Sequence, residues 1–175
     1  TVLDFHKNQI VHHFTAAAMV AAALRACPHG RCTRAELVQP IDRLKALWVR
    51  ELALPPDVDA QALVAEGLRD LLAHGAVTTD GDHVQVAHPA LIGEVHGMIR
   101  ALLESYLVVC VGALTPGLRG GDVKAWSKQL TTHSEAFLAD GTATRPEVFA
   151  TVTLTHALKE LSKRGVYRKD GEALV

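Results

Sequence analysis

The stretch LLAHGAVTTDGDHVQV, residues 71–86, constrains this chain more than any other. Leu71 and its neighbours have helical spacing up to Gly75. Val77 and Thr79 then alternate with polar residues, as do Val84 and Val86, on either side of Asp80-Gly81. Alternation is the period of a half-buried strand. Asp-Gly suits a type I′ turn, which needs positive φ at both central residues. The spacing predicts a helix, stopped by Gly75 in the left-handed conformation, that runs straight into a β-hairpin. The pattern returns at the C-terminus. LSKRGVYRKDG, residues 161–171, repeats helix, Gly, strand and Asp-Gly, with the same five-residue step from Gly165 to Asp170 as from Gly75 to Asp80. Helix followed by hairpin is the outline of a winged-helix unit, and two occurrences are too few for a solenoid. The second hairpin has only EALV left for its return strand.

Helical spacing fills the rest. A first helix is expected from about Asp4 to Ala26, its AAAMVAAAL run small enough for a neighbouring helix to come close, and Pro28 ends it. Thr33-Arg34-Ala35-Glu36 has capping-box spacing, with Pro40 expected to break or kink the helix that follows. Ile41, Leu44, Trp48 and Leu52 form a stripe, and Ala60–His74 carries Val64, Leu68 and Leu71 inward. His88-Pro89 opens the longest helix, to about Leu114, lined by Ile92, Val95, Ile99, Leu102, Tyr106 and Cys110. Asp122 caps a helix through Trp126, Leu130 and Phe137. Thr144-Arg145-Pro146-Glu147 is a second capping box, opening a last helix to Arg164. The fold class is mainly α: a helical bundle with one or two small β-hairpins following helices. The expected subregions are 1–88 and 89–175, each ending in helix plus hairpin.

At 175 residues the chain suits one domain or two small subdomains. Eighteen Lys and Arg meet nineteen Asp and Glu, a net charge of −1, which disfavours a phosphate-binding surface; no nucleic-acid partner is expected. Three Cys in no framework spacing indicate free thiols in a reducing compartment. The longest apolar runs, Phe14–Leu24 and Tyr106–Leu114, fall short of the roughly 20 residues that a spanning helix needs.

Candidate chemistry is sparse. Cys27, His29 and Cys32 are three soft donors, where a structural zinc site takes four, so they read as a helix-ending loop and no metal is expected. Cys110 lies among Leu107, Val108, Val109 and Val111, with no local charge to activate it. There is no G-x-S-x-G, and Gly120-Gly121-Asp122 is too short for a phosphate loop. Gly93-x-x-x-Gly97 reads as close packing of soluble helices. For DNA, the helix before the first hairpin offers mainly Arg69 against Glu66 and Asp70. The C-terminal one offers Lys159, Lys163, Arg164, Arg168 and Lys169. The opening run, with His6, Lys7, Asn8 and His12, is either exposed or pressed against a polar partner.

That run, LDFHKNQIVHHF, resembles a segment of glycerol-3-phosphate acyltransferases of the bacterial membrane type and their mitochondrial relatives. The family pattern is two aromatics, Arg, Asn, Asn, an apolar residue, any residue, then His. Phe5, Asn8, Ile10 and His12 fit it, and Lys7 keeps the charge. His6 replaces the second aromatic, Gln9 an Asn, and Lys7 an Arg whose bidentate contacts Lys does not reproduce. TRAELVQPIDRLKALWVREL, ALVAEGLRDLLAHGAVTTDGDHVQVAHP and the closing LKELSKRGVY are similar to the family's later helices.

The resemblance implies acyl transfer from a coenzyme A or carrier-protein thioester to the first hydroxyl of glycerol 3-phosphate, in phospholipid biosynthesis. A His-x-x-x-x-Asp pair carries that chemistry, the His taking the hydroxyl proton while the Asp orients its ring. None of the ten His here has Asp five positions on; His74 and Asp80, and His133 and Asp140, come nearest. The chain therefore resembles the non-catalytic C-terminal helical region, expected to be inactive alone and to need no cofactor. Thr1 and the EALV end fit a segment of a longer chain. The implied partner is the catalytic domain of that chain, met by Phe5, His6, Lys7, Asn8 and His12. The implied place is the cytoplasmic side of a membrane-associated parent, whose membrane surface is a further possible contact. The alternative from another class is a stand-alone winged-helix DNA-binding regulator.

Overall fold

The computed structural model describes residues 2–48, 51–52, 54–55, 57–118 and 122–166, and of 2–13 the backbone alone. It is mainly helical. By packing, the chain divides into a first unit, Thr1–Ile99, and a second, Arg100–Val175. The elements alone put the break at the start of the longest helix; packing puts it inside that helix.

The first unit runs α1 (Val2–Ala26), a 3-10 turn (Pro28–Gly30), β1 (Arg31–Thr33), α2 (Arg34–Trp48), α3 (Ala60–Ala73), β2 (Val77–Asp80) and β3 (His83–Val86). The three strands form an antiparallel sheet in the order β1-β3-β2. This is the winged-helix-like outline read from the hairpin, with β1 as an added strand. Three residues, Arg-Cys-Thr, are too few to show alternation. Their pairing with β3, Cys32 opposite Val84, exists only once the chain has folded.

The hairpin turn differs from expectation by one residue. Asp80 pairs with His83, so the two central residues are Gly81 and Asp82. Of these only Gly81 has positive φ, 57°, the requirement of a type II′ turn rather than type I′. The register follows the core, because Val77 and Val84 must both face inward and both are buried. Upstream, Gly75 (φ 66°) stops α3 as its position predicts. Its amide donates to Leu72 O at 2.9 Å and the Ala76 amide to Leu71 O at 2.8 Å.

The helices follow their caps, with one exception. Thr33 and Glu36 form the reciprocal box. The Thr33 amide donates to Glu36 Oε2 at 2.6 Å and the Glu36 amide to Thr33 Oγ1 at 3.3 Å. The Thr33 amide and hydroxyl bonds hold the Glu36 carboxyl below its ordinary pKa. Pro40 does not end α2, which continues unbroken to Trp48. Leu37 and Ile41, either side of the proline, and Trp48 are all buried, and this packing outweighs the one backbone bond a proline forfeits.

The core of the first unit lies where α1 meets α3. Residues 15–21, 23 and 24 of α1 are all buried, as the alanine run predicts. The matching feature on α3 is Gly67. A Cβ there would sit 2.5 Å from the Ala16 carbonyl oxygen and 2.7 Å from Val20 Cγ2. Backbone touches backbone at this crossing. The close approach expected of Gly93 is not found: a Cβ there would meet only Arg25 Nη1, at an ordinary 3.7 Å.

α4 (Pro89–Leu114) starts at the predicted Pro89. By length and composition it is long and apolar enough to cross a membrane, although the apolar run Tyr106–Leu114 within it is by itself too short. Of its most apolar stretch 44% is buried inside the protein, so the helix also serves as a core element. Ile92, Ile99, Tyr106, Val108, Val109 and Ala113 are buried; Val95, Leu102 and Cys110 are only half-buried.

The second unit adds α5 (Val123–Thr132), α6 (Ser134–Ala139), a 3-10 turn (Pro146–Phe149) and α7 (Thr151–Lys163) to its part of α4. Asp122 caps α5, accepting from the Ala125 amide at 2.8 Å. The helix expected through Phe137 divides at His133, yet Trp126, Leu130 and Phe137 are buried as predicted. Leu154, Leu158 and Leu161 of α7 join them, and Phe137 stacks on Phe149 with centroids 6.1 Å apart. α7 ends as α3 does. The Gly165 amide donates to Ser162 O and that of Val166 to Leu161 O. The predicted second hairpin beyond it lies outside the described residues.

The second capping box does not form. The Thr144 amide and hydroxyl turn instead to Glu104 of α4, at 2.9 and 2.7 Å, and Arg100 Nε reaches the same carboxylate at 2.6 Å. Glu104 is only 8% exposed, and a buried carboxylate takes donors ahead of a solvated cap. Burial pushes its pKa up. The Thr144 amide and hydroxyl, with Arg100, outweigh burial and hold it below the ordinary 4.5.

Two predictions follow from this packing. Gly67→Ala should destabilise the fold by about 1–3 kcal/mol in urea unfolding, because the overlap is with backbone, whereas Gly93→Ala should not. Glu104→Gln should cost about 1–3 kcal/mol at pH 7. Glu104 keeps its charge to lower pH in the folded state than in the unfolded one. Its contribution is therefore full above about pH 4.5 and lost as pH falls from there through the lower folded value. The urea midpoint of the parent chain should drop more steeply across that window than that of Glu104→Gln.

Candidate functional site

Four features of the sequence pointed toward chemistry, and the structure treats them differently. The first is the turn after α1. Cys27 follows the helix, half-buried, and its thiol donates to Ala23 O at 3.4 Å. Pro28, His29 (φ 55°) and Gly30 (φ 64°) reverse the chain into β1, where Cys32 is buried. Gly30 is needed here for space as well as for φ, since a Cβ would meet Val86 at 3.2 Å. The two cysteines flank this turn. His29 is exposed and does not join them in a donor set. Among the described residues no group of three His, Cys, Asp or Glu side chains is placed to hold a metal ion.

Burial pushes the Cys32 thiol up to about 12, with smaller contributions from Cys27 and from the Glu36 carboxylate. Burial alone raises Cys110.

The second feature is the search for a His–Asp pair. His74 and His133, the nearest approaches by spacing, both turn to backbone. Nδ1 of His74 lies 2.8 Å from Asp70 O, and Nδ1 of His133 lies 2.9 Å from Gln129 O. A carbonyl only accepts, so each ring carries its proton on Nδ1. Both are helix-end contacts, not bases aimed at a substrate.

The third is the pair of candidate DNA-reading helices. The exposed face of α3 holds Gln61, Ala62, Ala65, Glu66, Arg69 and Ala73, and Arg69 pairs with Asp70 at 3.3 Å. A recognition helix needs donors free for base edges, and this face is small and weakly acidic. On α7, Glu160 engages both Lys163 (3.4 Å) and Arg164 (3.1 Å). Arg168 and Lys169 lie outside the described residues.

The fourth is the opening run. Phe5, His6, Lys7, Asn8 and His12 all lie on α1, and their side chains fall outside the described residues.

The fold also makes concavities that no motif announced. A cleft of about 530 Å³ opens between the end of α1, β3 and the start of α4. It is lined by Leu24, Arg25, His29, Gln85, Pro89 and Ile92 among others. Gln85 Nε2 donates to His29 O at 3.3 Å along its wall. A smaller, mainly apolar groove of about 230 Å³ lies between α2 and α3, against Val38, Val64 and Leu68. Arg25 and Gln85 are 60 positions apart in sequence and converge only through the β1–β3 pairing, so no local signal marks them.

Residues 1–170 match the family model described as the glycerol-3-phosphate acyltransferase C-terminal region. The chain belongs to that family. Among curated proteins and among solved structures nothing matches it. The family match accounts for the resemblance carried by FHKNQIVHH and by the helices after it over nearly the whole length.

The thiols offer a direct check on the geometry of this acyltransferase C-terminal region. At pH 8, maleimide should label half-buried Cys27 and Cys110 ahead of buried Cys32, which should react fully only in denaturant, as read by peptide mass mapping.

Proposed function

We propose that this chain is the non-catalytic partner of an acyltransferase domain in the same protein. That domain moves an acyl group from an acyl thioester to the first hydroxyl of glycerol 3-phosphate, in phospholipid biosynthesis. One combined observation carries the reading: the family match runs from residue 1 to 170, and no His in the chain has the Asp spacing that this acyl transfer uses. The chain then contributes support, not chemistry. Phe5, His6, Lys7, Asn8 and His12 are the residues we assign to the interdomain contact, on the first turns of α1. Their mix of one aromatic with amide, ammonium and imidazole groups suits a polar protein surface. α1 is also the helix whose second half is buried against α3, so a load on its first turns is carried into the core. The parent is placed by this reading on the cytoplasmic side of a membrane.

The test joins the chain to its catalytic domain and replaces Lys7, Asn8 and His12 together by Ala. Acyl transfer or domain assembly should fall roughly tenfold or more, the equivalent of about 1.4 kcal/mol of contact. The isolated chain should turn over no glycerol 3-phosphate. Full activity of the triple variant would remove the contact assignment, and turnover by the isolated chain would remove the reading itself.

A further inference from the structure

The cleft between the end of α1, β3 and the start of α4 has charge of one sign only. Arg25 and His29 line it, and no lining residue is acidic, in a chain whose net charge is −1. Lys45, Arg69, Arg100, Lys163 and Arg164 each pair with a carboxylate. Arg25 does not: among the described residues its side chain has no ion pair and no hydrogen bond. Its place is set by Gly93, where a Cβ would meet Arg25 Nη1 at 3.7 Å, so the guanidinium lies over bare backbone of α4. α4 opens at the cleft with Pro89 and carries no acidic residue in its first turn. The positive end of its dipole is therefore left uncompensated there. His29 is fixed at the other wall with φ 55°, uncommon outside glycine, and Gln85 holds its carbonyl. The rest of the lining is largely apolar, with Leu24 and Ile92 buried and Val86 beside them.

We propose that this cleft binds a small carboxylate with an apolar body. The planar guanidinium of Arg25 takes both carboxylate oxygens through parallel N–H bonds, the geometry for which arginine is suited. An N–H of the His29 ring supplies a further donor from the facing wall. The apolar body lies against Leu24, Val86 and Ile92, which are the surface left to it. Charge selects the class of anion. Arg25 is the one permanent positive charge in the lining, and a carboxylate brings a single negative one. A phosphate monoester brings about −1.5 to −2 and would remain undercompensated. Size agrees, since the cleft holds about 530 Å³ and small-molecule sites run from about 300 to 1,000 Å³. Arg25 sits at the opposite end of α1 from the residues assigned to the interdomain contact, so the site does not depend on that assignment.

The experiment titrates the isotope-labelled full chain with octanoate, below its micelle-forming concentration, and follows amide shifts by NMR. Saturable shifts should centre on Gly30, Gln85, Val86 and Ile92. Octanol, which keeps the apolar body and lacks the charge, should bind about tenfold or more weakly. Acetate, which keeps the charge and lacks the body, should also lose about tenfold or more. Octyl phosphate should bind no more tightly than octanoate. Arg25→Gln should weaken octanoate about tenfold or more, the share of a charge-assisted bond. Octanol binding as well as octanoate would overturn the proposal, as would undiminished binding by Arg25→Gln. So would shifts that do not saturate or that centre away from the cleft, and a clear preference for octyl phosphate would remove the carboxylate assignment. If Arg25→Gln does not fold, the comparison of octanoate, octanol and acetate on the unaltered chain decides the question alone.

Discussion

The contact of Gly67 with the backbone of α1 is the constraint on which the first unit rests. Two helices cross so closely that the carbonyl of Ala16 occupies the place of a side chain on α3. Such proximity needs small residues on both sides. α1 supplies a run of alanines and α3 supplies its single glycine. Once that crossing is set, Val64, Leu68 and Leu71 of α3 are carried inward. The end of α3 is then aimed at the point where Gly75 releases it into the hairpin. The sheet is completed from the other side by β1, which leaves α1 through a turn of two positive-φ residues. Helix crossing, turn and sheet form a single arrangement, and each part has room only because the others are placed as they are.

The second unit is organised around a polar centre. Glu104 is nearly buried, and the loop before the 3-10 turn closes over it through both donors of Thr144. A buried carboxylate left bare costs more than a solvated helix cap gains, so Thr144 is taken from the capping box its sequence spells. Around this, α5 and α7 pack Trp126, Leu130, Leu154 and Leu158, and the Phe137–Phe149 pair fills the end.

The winged-helix-like outline does not by itself assign a function. Fold and function separate here, as they do for most common scaffolds. The helix that would enter a groove presents alanines, Glu66 and an Arg69 already engaged by Asp70. At the end of α7, Lys163 and Arg164 share Glu160. Family membership places this scaffold among glycerol-3-phosphate acyltransferase C-terminal regions.

Local sequence determined a good deal of this protein. The helix–glycine–hairpin order, the Thr33–Glu36 box, the Asp122 cap, the Pro89 start and the buried alanine run are all written within a few residues of where they act. Each depends on backbone chemistry or on a short hydrophobic period, and those are local properties. The lack of a His-x-x-x-x-Asp pair was equally legible, because it is a matter of spacing alone. Tertiary structure decided the rest. It kept α2 intact through Pro40 because buried Leu37 and Ile41 flank it. It moved the hairpin turn by one residue so that Val77 and Val84 face inward, and it drew Thr144 to Glu104. It recruited β1 to the sheet and set Arg25 near Gln85. In every such case the deciding partner lies elsewhere in the chain or across a turn. The energy of burying or satisfying that partner exceeds the few tenths of a kcal/mol to about 1 kcal/mol by which a local preference is expressed.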